Sequence, residues 1–270
     1  MLDLHGPTHH PTYDPAESMV RVRELCRSFT PTGGVLDRMD LDLRGGEVAA
    51  LMGRRGSGKS TLLRALARVD HEVLGSGSLR LPETIAVLGD DPGLLGWKRV
   101  LDNVAVGLGT PDALVRARRA LAEVGLDDRE LAWPDDLDAA DRHRVALARA
   151  LAGDAQLVLA DEPYRLLDAL DQRALHRLLR AVTARHGLAV LFVTNDVHEA
   201  ITLADRILVL RDGRIHGDAA VRGTDAQVPV GTQYAALREV LLVELGIGGS
   251  SEAAGRRSDG MRTATLRHVG

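Results

Sequence analysis

The sequence predicts an α/β fold with a parallel core sheet, and three features of the chain support that prediction. Short apolar stretches of strand length alternate with longer segments of helical period over residues 48–194. Alternating stretches at residues 20–25 and 35–43 predict further strands nearer the N-terminus. The Asp212-Gly213 pair between two apolar runs predicts a hairpin near the other end. The length of 270 residues suits one large domain or two small ones.

The middle of the chain supplies the elements in order. Strands are predicted where short apolar runs stand between turn residues, at residues 48–52, 157–160 and 188–194, with two shorter runs within 79–88. Helices are predicted where apolar residues recur at helical spacing, at residues 62–69, 111–125, 141–152 and 168–186. In the second of these helices, four residues fall on one face: Leu114, Ala117, Leu121 and Val124.

Composition narrows the classes of function. The formal net charge is −4, so the chain lacks the basic footprint expected of a protein that binds nucleic acid. Cys26 is the single cysteine, which excludes an internal disulfide and favours a reducing compartment. No apolar run approaches the length needed to span a bilayer. Residues 1–18 and 248–270 are polar or rich in Gly, Ser and Arg, and both are predicted to be disordered extensions.

One motif carries most of the functional information. Residues 53–61 match the pattern G-x-x-x-x-G-K-[ST] of a phosphate-binding P-loop, between a predicted strand and a predicted helix. Glycine is needed where backbone N–H groups closely approach phosphate oxygens. Lys59 supplies a positive charge for the β- and γ-phosphates, and the Ser60 hydroxyl suits Mg²⁺. The predicted nucleotide-binding residues of this loop are Gly53, Arg54, Arg55, Gly56, Ser57, Gly58, Lys59, Ser60 and Thr61.

An acidic pair follows the strand predicted at residues 157–160. Asp161 stands at the carboxyl end of that strand, where proteins with a P-loop usually hold Mg²⁺. Glu162 is adjacent and could orient or deprotonate a water molecule. The sequence therefore predicts Ser60 and Asp161 as Mg²⁺ ligands and Glu162 as the catalytic base.

Together, these segments resemble the ATP-binding subunits of ABC transporters. The resemblance rests on four segments, residues 53–61, 157–163, 166–168 and 204–213. It implies a P-loop NTPase of the ABC type, which combines a parallel core sheet, an antiparallel β subdomain and a helical subdomain at about residues 90–152. The ABC ATP-binding domain is then expected over residues 19–215, followed by a C-terminal helical extension over residues 216–247.

The same resemblance implies ligands, partners and location. ATP and Mg²⁺ are the expected cofactors, and two ATP-binding subunits, identical or different, are expected to form a dimer. The expected partners are a transmembrane permease and, through it, an extracytoplasmic substrate-binding protein. The chain is then a cytoplasmic protein held peripherally on the inner face of the cell membrane. Residues 95–104 resemble the nitrate, sulfonate and taurine importer branch, which implies docking near residues 90–104 and favours small oxyanions as substrates.

Four further positions take a role from the resemblance. Phe29 falls where the family stacks an aromatic ring on adenine, although a buried core phenylalanine explains it equally well from sequence. Asp168 matches the acidic residue of the segment 166–168 and is assigned to nucleotide binding. Asp90 falls where the family has a glutamine that senses Mg²⁺ and the attacking water. Asn195 falls where the family has a histidine that contacts the γ-phosphate.

The chain departs from the family in its signature segment, residues 137–141. This segment reads Leu-Asp-Ala-Ala-Asp, whereas the family has Leu-Ser-Gly-Gly-Gln. Asp138 replaces the serine that closes on the γ-phosphate of the opposite subunit. At about 4 Å and an effective dielectric constant of about 20, each unit-charge repulsion costs about 4 kcal/mol. That cost exceeds the contribution of about 2 kcal/mol from a good charged hydrogen bond.

Because Asp90 and Asn195 are altered as well, we expect slow hydrolysis, with a non-hydrolysing ATP-binding regulator as the alternative. Arg55 replaces a small residue of the P-loop, and it either faces solvent or pairs with Asp138 of the opposite subunit. A third class, the DNA-repair and chromosome-structure ATPases of the same superfamily, carries a long coiled coil between the P-loop and the signature segment. The short separation of Lys59 from Leu137 leaves no room for one.

Overall fold

A six-stranded central sheet organises the protein in a computed structural model that describes residues 18–30, 33–71, 73–221 and 231–245. From one edge to the other it contains β5 (Ile85–Leu88), β6 (Leu157–Asp161), β7 (Ala189–Val193), β3 (Val48–Met52), β8 (Arg206–Arg211) and β9 (Arg214–Ala220). The first five strands are parallel, and β9 pairs antiparallel with β8. The predicted α/β fold with a parallel core sheet is therefore confirmed.

The inner strands are apolar along their whole length because both faces of the central sheet are covered. Alternate residues of β3 enter two different clusters. Ala50 and Met52 pack on one side of the sheet, whereas Ala49 and Leu51 pack on the other. This packing explains why the strand before the P-loop reads as a continuous apolar run rather than as an alternating pattern.

A second, outer sheet contains three antiparallel strands, in the order β2 (Gly33–Arg44), β1 (Ser18–Thr30) and β4 (Leu74–Arg80). It is joined to the central sheet at the hairpin of β8 and β9. The Asp37 backbone N–H donates to the Gly213 carbonyl over 3.1 Å, and Arg214 Nη2 lies 2.6 Å from Asp37 Oδ2. The hydrogen bond from Arg214 lowers the pKa of Asp37.

Seven α-helices lie in the described part of the chain: α1 (Lys59–Leu66), α2 (Val100–Ala105), α3 (Ala113–Glu123), α4 (Ala139–Ala152), α5 (Ala169–His186), α6 (Val197–Leu203) and α7 (Thr232–Glu244). Helices α2, α3 and α4 pack on one another and form a helical lobe within residues 90–152. The fully buried Asn103 fixes the loop before α2, because its Nδ2 donates to the carbonyls of Leu95, Lys98 and Arg99.

Several element boundaries differ from the sequence-based expectations. Helix α1 begins at Lys59 rather than at residue 62, so Lys59 and Ser60 lie in its first turn. Helix α4 begins at Ala139 rather than at residue 141, because Asp138 caps it. Leu114 is 46% exposed, whereas its three predicted partners on the face of α3 are buried.

The C-terminal region also differs from expectation. The segment expected to be a helical extension over residues 216–247 begins as strand, because Arg206 binds Asp218 at 2.6 Å and prolongs the pairing of β8 with β9. Among the described residues of this region, the helix is α7. The predicted disorder of residues 1–18 and 248–270 falls almost entirely outside the described residues, and Ser18 belongs to β1. None of the described helices is both long and apolar enough to cross a membrane.

Candidate functional site

The P-loop connects the end of β3 to the start of α1, and its glycines are required by close packing. A Cβ atom at Gly53 would lie 2.4 Å from the backbone oxygen of Leu210. A Cβ atom at Gly58 would lie 2.7 Å from Leu36 Cδ2, and this residue has a φ of 109°, in the left-handed region. The loop is therefore held between β8 and β2, and its shape depends on both sheets.

Lys59 is buried inside the loop that it follows. Its Nζ donates to the carbonyl oxygens of Gly53 at 2.5 Å and Arg54 at 3.1 Å. Burial lowers the pKa of Lys59, and the negative charges of Glu162 and Asp161 act in the opposite direction. Ser57 Oγ is also buried and has no hydrogen-bond partner among the described residues. Polar groups of this kind inside a loop suit a ligand rich in oxygen atoms.

The two predicted Mg²⁺ ligands lie together at the carboxyl end of β6. Ser60 Oγ donates to Asp161 Oδ2 over 3.5 Å. Both groups supply oxygen atoms, which Mg²⁺ prefers. Within the described ranges, no group of three or more His, Cys, Asp or Glu residues could form an all-protein metal site. The pair therefore fits an ion that is shared between the protein and phosphate oxygens.

Glu162 has an unusual backbone conformation, and both of its carboxylate oxygens contact other side chains. Its φ of 46° lies in the left-handed region, which costs of order 1–3 kcal/mol for a residue other than glycine. The Asn195 Nδ2 group donates to Glu162 Oε1, and Arg165 Nε lies 3.2 Å from Glu162 Oε2. The side chain predicted to activate water is therefore tied to the residue at the family's histidine position.

Arg165 links Glu162 to the third altered position. Its Nη2 donates to Asp90 Oδ2 over 3.0 Å, across the gap between the turn after β6 and the end of β5. Arg165 is not among the residues predicted from the sequence. The available signal was a basic side chain three residues after Glu162, but its partner Asp90 is 75 positions away in the chain.

These side chains line one cavity of about 880 Å³. The predicted residues that it brings together are Phe29, Arg55, Gly56, Gly58, Lys59, Ser60, Thr61, Asp90, Asp161, Glu162 and Asn195. Phe29 is 54% exposed at this cavity, so the interpretation of Phe29 as a core residue is wrong. Gly53, Arg54 and Ser57 line a neighbouring cavity of about 290 Å³, on the side of the loop that faces β8.

Asp138 and Asp168 do not line the large cavity, and each caps a helix. Asp138 Oδ1 accepts a hydrogen bond from the Asp141 N–H at 2.7 Å at the start of α4. Asp168 Oδ1 accepts from the N–H groups of Leu170 at 2.8 Å and Asp171 at 3.0 Å at the start of α5, and these bonds lower the pKa of Asp168.

The signature segment presents fewer side chains to solvent than its sequence implies. Asp138 and Ala139 are exposed, but Ala140 is buried in a small cluster with Tyr164, Leu167 and Leu175. The extra methyl group of Ala140 therefore packs inside the protein. Of the two alanines, only Ala139 adds a Cβ atom to the exposed surface.

A buried row of side chains, which was not predicted from the sequence, connects α4 to the end of β7. The Tyr164 ring packs between the rings of His143 and His176, with centroids 5.6 Å and 5.5 Å away. His176 Nε2 lies 3.0 Å from Glu199 Oε1, and Thr194 Oγ1 donates to Glu199 Oε2 over 2.5 Å. Burial lowers the pKa of His143. The row ends at Thr194, the residue before Asn195.

A P-loop between a strand and a helix, with an acidic strand end beside it, defines a nucleotide-binding protein of the P-loop class. Residues 36–165 match the family described as ABC transporter. The aliphatic sulfonates import ATP-binding protein SsuB 2 of Mesorhizobium japonicum is 52% identical over 229 residues, which cover 85% of this chain and 92% of that protein. The protein of the same name from Nocardia farcinica is also 52% identical over 229 residues, covering 85% and 95%. The chain belongs to the ABC transporter family.

Solved structures agree with this assignment. An ATP-binding cassette that was solved as a dimer in a post-hydrolysis state, bound to ADP and Pi, is 25% identical with a TM-score of 0.63. The match covers 76% of this chain and 100% of that one. CbiO1 from Clostridium perfringens, part of an ABC transporter complex, is 22% identical with a TM-score of 0.70, covering 76% and 89%, and supports the fold.

Proposed function

We propose that the chain is the ATP-binding subunit of an ABC importer and that it binds ATP with Mg²⁺ in the large cavity. The observation that carries this proposal is the convergence of the P-loop, the Ser60–Asp161 pair, Glu162 and an exposed Phe29 on one cavity. The names of the relatives that cover most of this chain, which are ATP-binding proteins for import, support it.

Each part of the cavity has a chemical role in this proposal. Phe29 stacks on adenine, and the P-loop N–H groups with Lys59 bind the phosphates. Ser60 and Asp161 hold Mg²⁺, which when bound neutralises phosphate charge. Glu162 orients the attacking water and accepts its proton.

Hydrolysis is slow in this proposal because the groups around Glu162 are altered. Both of its carboxylate oxygens already accept contacts from the protein, one from Asn195 and one from Arg165. Asn195 is neutral and shorter than the family's histidine. A second candidate, a regulator that binds ATP without hydrolysing it, is favoured by the same occupied carboxylate and by the exposed Asp138.

The proposed transported substrates are aliphatic sulfonates, a class within the oxyanions that residues 95–104 favour. This choice rests on the names of several relatives, which are aliphatic sulfonates import proteins. The substrate itself would bind elsewhere, on the substrate-binding protein and the permease. This chain would supply the energy for import from the cytoplasmic face of the membrane.

An exposed apolar surface on the helical lobe suits the proposed permease. We call it the docking surface, and it consists of Trp97, Leu131 and Trp133. Trp97 and Leu131 are each 75% exposed, and the Arg99 guanidinium lies 3.6 Å from the centre of the Trp133 ring. Arg99 Nη1 also donates to the Leu131 carbonyl over 2.8 Å, which joins the two segments. Exposed apolar patches of this kind commonly mark protein contacts.

We also propose a dimer of ATP-binding subunits. One cassette of the same fold was solved as a dimer, and Asp138 and Asp168 lie outside the cavity of their own subunit. In a dimer of that kind, both residues would act at the cavity of the opposite subunit. Whether the two subunits are identical or different leaves this role unchanged.

The test of the proposed function is ATP turnover by the purified chain with Mg²⁺, measured together with nucleotide binding. Glu162→Gln is expected to abolish turnover and to keep ATP binding, because it removes the base but not the phosphate contacts. Glu83→Gln removes an exposed carboxylate elsewhere and is the matched control. Binding without turnover by the unaltered chain would favour the regulator, and absence of ATP binding would refute both candidates.

A further inference from the structure

Within the described ranges, Arg165 contacts both Asp90 and Glu162, two of the three acidic side chains that line the large cavity. We propose that Arg165 is a positioning residue that neutralises Asp90 and holds the Glu162 carboxylate, so that ATP with its γ-phosphate is accepted despite the aspartate at position 90. This inference rests on the proposed function. It assigns a role to a residue that the motif pattern leaves without one.

The geometry supports a bridge through both ends of one guanidinium group. Arg165 Nη2 lies 3.0 Å from Asp90 Oδ2, and Arg165 Nε lies 3.2 Å from Glu162 Oε2. The planar guanidinium can serve two carboxylates because its N–H groups form a fixed fork. The Arg165 N–H also donates to the Glu162 carbonyl over 3.3 Å, so the turn itself directs the side chain to this place.

The charges give the bridge a function beyond stability. Asp90, Arg165 and Glu162 together carry a net charge of −1, which is the charge of Glu162 beside a neutral residue at position 90. Without Arg165, two uncompensated carboxylates would face the incoming phosphates. The Arg165 side chain is 56% exposed, and ion pairs at such sites stabilise the folded state little. Arg165 is therefore expected to affect the affinity for the ligand and not the free energy of unfolding.

The net charge of Asp90, Arg165 and Glu162 is expected to affect the binding of ATP, which has a γ-phosphate, more than the binding of ADP, which lacks it. Coulomb repulsion falls with distance. An extra negative charge at this end of the cavity is therefore expected to weaken the binding of ATP more than the binding of ADP. A substitution that damages the fold of the turn would weaken the binding of both nucleotides to the same extent. The ratio of the two affinities therefore separates positioning of charge from a structural role.

The test uses the full chain with Mg²⁺ and measures, by calorimetry, the binding of ADP and of the non-hydrolysable analogue AMP-PNP. Arg165→Met is expected to weaken AMP-PNP binding about tenfold and ADP binding less than about twofold. Adding Asp90→Asn removes the negative charge that Arg165→Met leaves uncompensated. The AMP-PNP affinity of the double variant is therefore expected to return to within about threefold of that of the unaltered chain. Arg165→Lys keeps the charge and is expected to stay in the same range.

Arg173→Met is the matched control, because Arg173 is an exposed arginine on α5 whose Nε donates to the carbonyl of Ala169 in its own helix. A double variant as weak as Arg165→Met alone would overturn the inference, and so would an equal loss of ADP and AMP-PNP. Loss of binding in Arg165→Lys as well would assign Arg165 a geometric role and reject the charge argument. An unaltered chain that binds neither nucleotide would refute the proposed function and this inference with it.

Discussion

The two sides of the large cavity follow the family pattern to different degrees. On one side, the P-loop keeps the residue types that its motif specifies, with Arg55 as a departure at a variable position, and Lys59 is buried in contact with the loop carbonyls. On the other side, Asp90 and Asn195 replace the family residues, and both are bound into a network with Glu162 and Arg165. In the proposed function, the P-loop side binds the nucleotide, whereas the network around Glu162 sets the rate of hydrolysis and modulates the affinity for a nucleotide with a γ-phosphate.

The largest effect is expected on the P-loop side. Lys59→Ala removes a buried positive charge that the proposal assigns to the β- and γ-phosphates, so AMP-PNP affinity is expected to fall about a hundredfold or more. Calorimetric titration measures this change. Arg64→Ala on the exposed face of α1 is the control. Unchanged affinity in Lys59→Ala would remove the basis for treating the P-loop side as the binding side.

A repair of the signature segment tests the altered side. The double variant Asp138→Ser and Ala139→Gly removes a negative charge and the exposed Cβ atom of the segment, and ATP turnover is expected to rise about tenfold. Steady-state phosphate release measures it. Asp135→Ser, which removes a nearby exposed aspartate, should leave turnover unchanged. If turnover stays at the level of the unaltered chain, the signature segment is not what limits hydrolysis.

Asp138 stabilises the start of α4 through a hydrogen bond and destabilises it through repulsion with Asp141. Its hydrogen bond to the Asp141 N–H caps α4, so Asp138→Ala is expected to lower the free energy of unfolding by about 1 kcal/mol. Burial raises the pKa of Asp141, and the Asp138 charge adds to that increase. Asp138→Ser keeps an acceptor and removes this repulsion, so it should destabilise less than alanine does. Urea denaturation compares the two, and a serine variant less stable than the alanine variant would contradict the capping role.

The smallest expected effect concerns Asp168 and pH. Backbone N–H groups lower the pKa of Asp168 in the folded protein, so this residue stabilises the fold above the ordinary carboxyl pKa of about 4. That stabilisation is lost as the pH falls through the lower folded pKa. Asp168→Asn should therefore flatten part of the decline in thermal midpoint on acidification. An identical decline in the two proteins would show that the cap does not titrate in this range.

The sequence predicted the strand and the helix that flank the P-loop well because their signals are local. Strand β3, the loop glycines and Lys59 are neighbours in the chain, and one short motif specifies the glycines and Lys59 together. Arg165 could not be predicted, since its contact with Asp90 joins two distant turns. Asn103 was missed for a different reason, because an asparagine that bonds three loop carbonyls looks like any polar residue near a helix start.

Boundaries were predicted least well where a side chain decides them. The cap at Asp138 starts α4 two residues earlier than its apolar pattern indicates. The Arg206–Asp218 pair extends β9 into a segment expected to be helical. In both places a single polar contact outweighs the local pattern.

The docking surface has a practical consequence for spectroscopy. The chain contains two tryptophans, and both Trp97 and Trp133 belong to that surface. Tryptophan emission from the purified chain therefore originates at one face of the helical lobe, while the cavity around the P-loop contributes none of it. A shift in this emission on mixing with permease would report docking without any label.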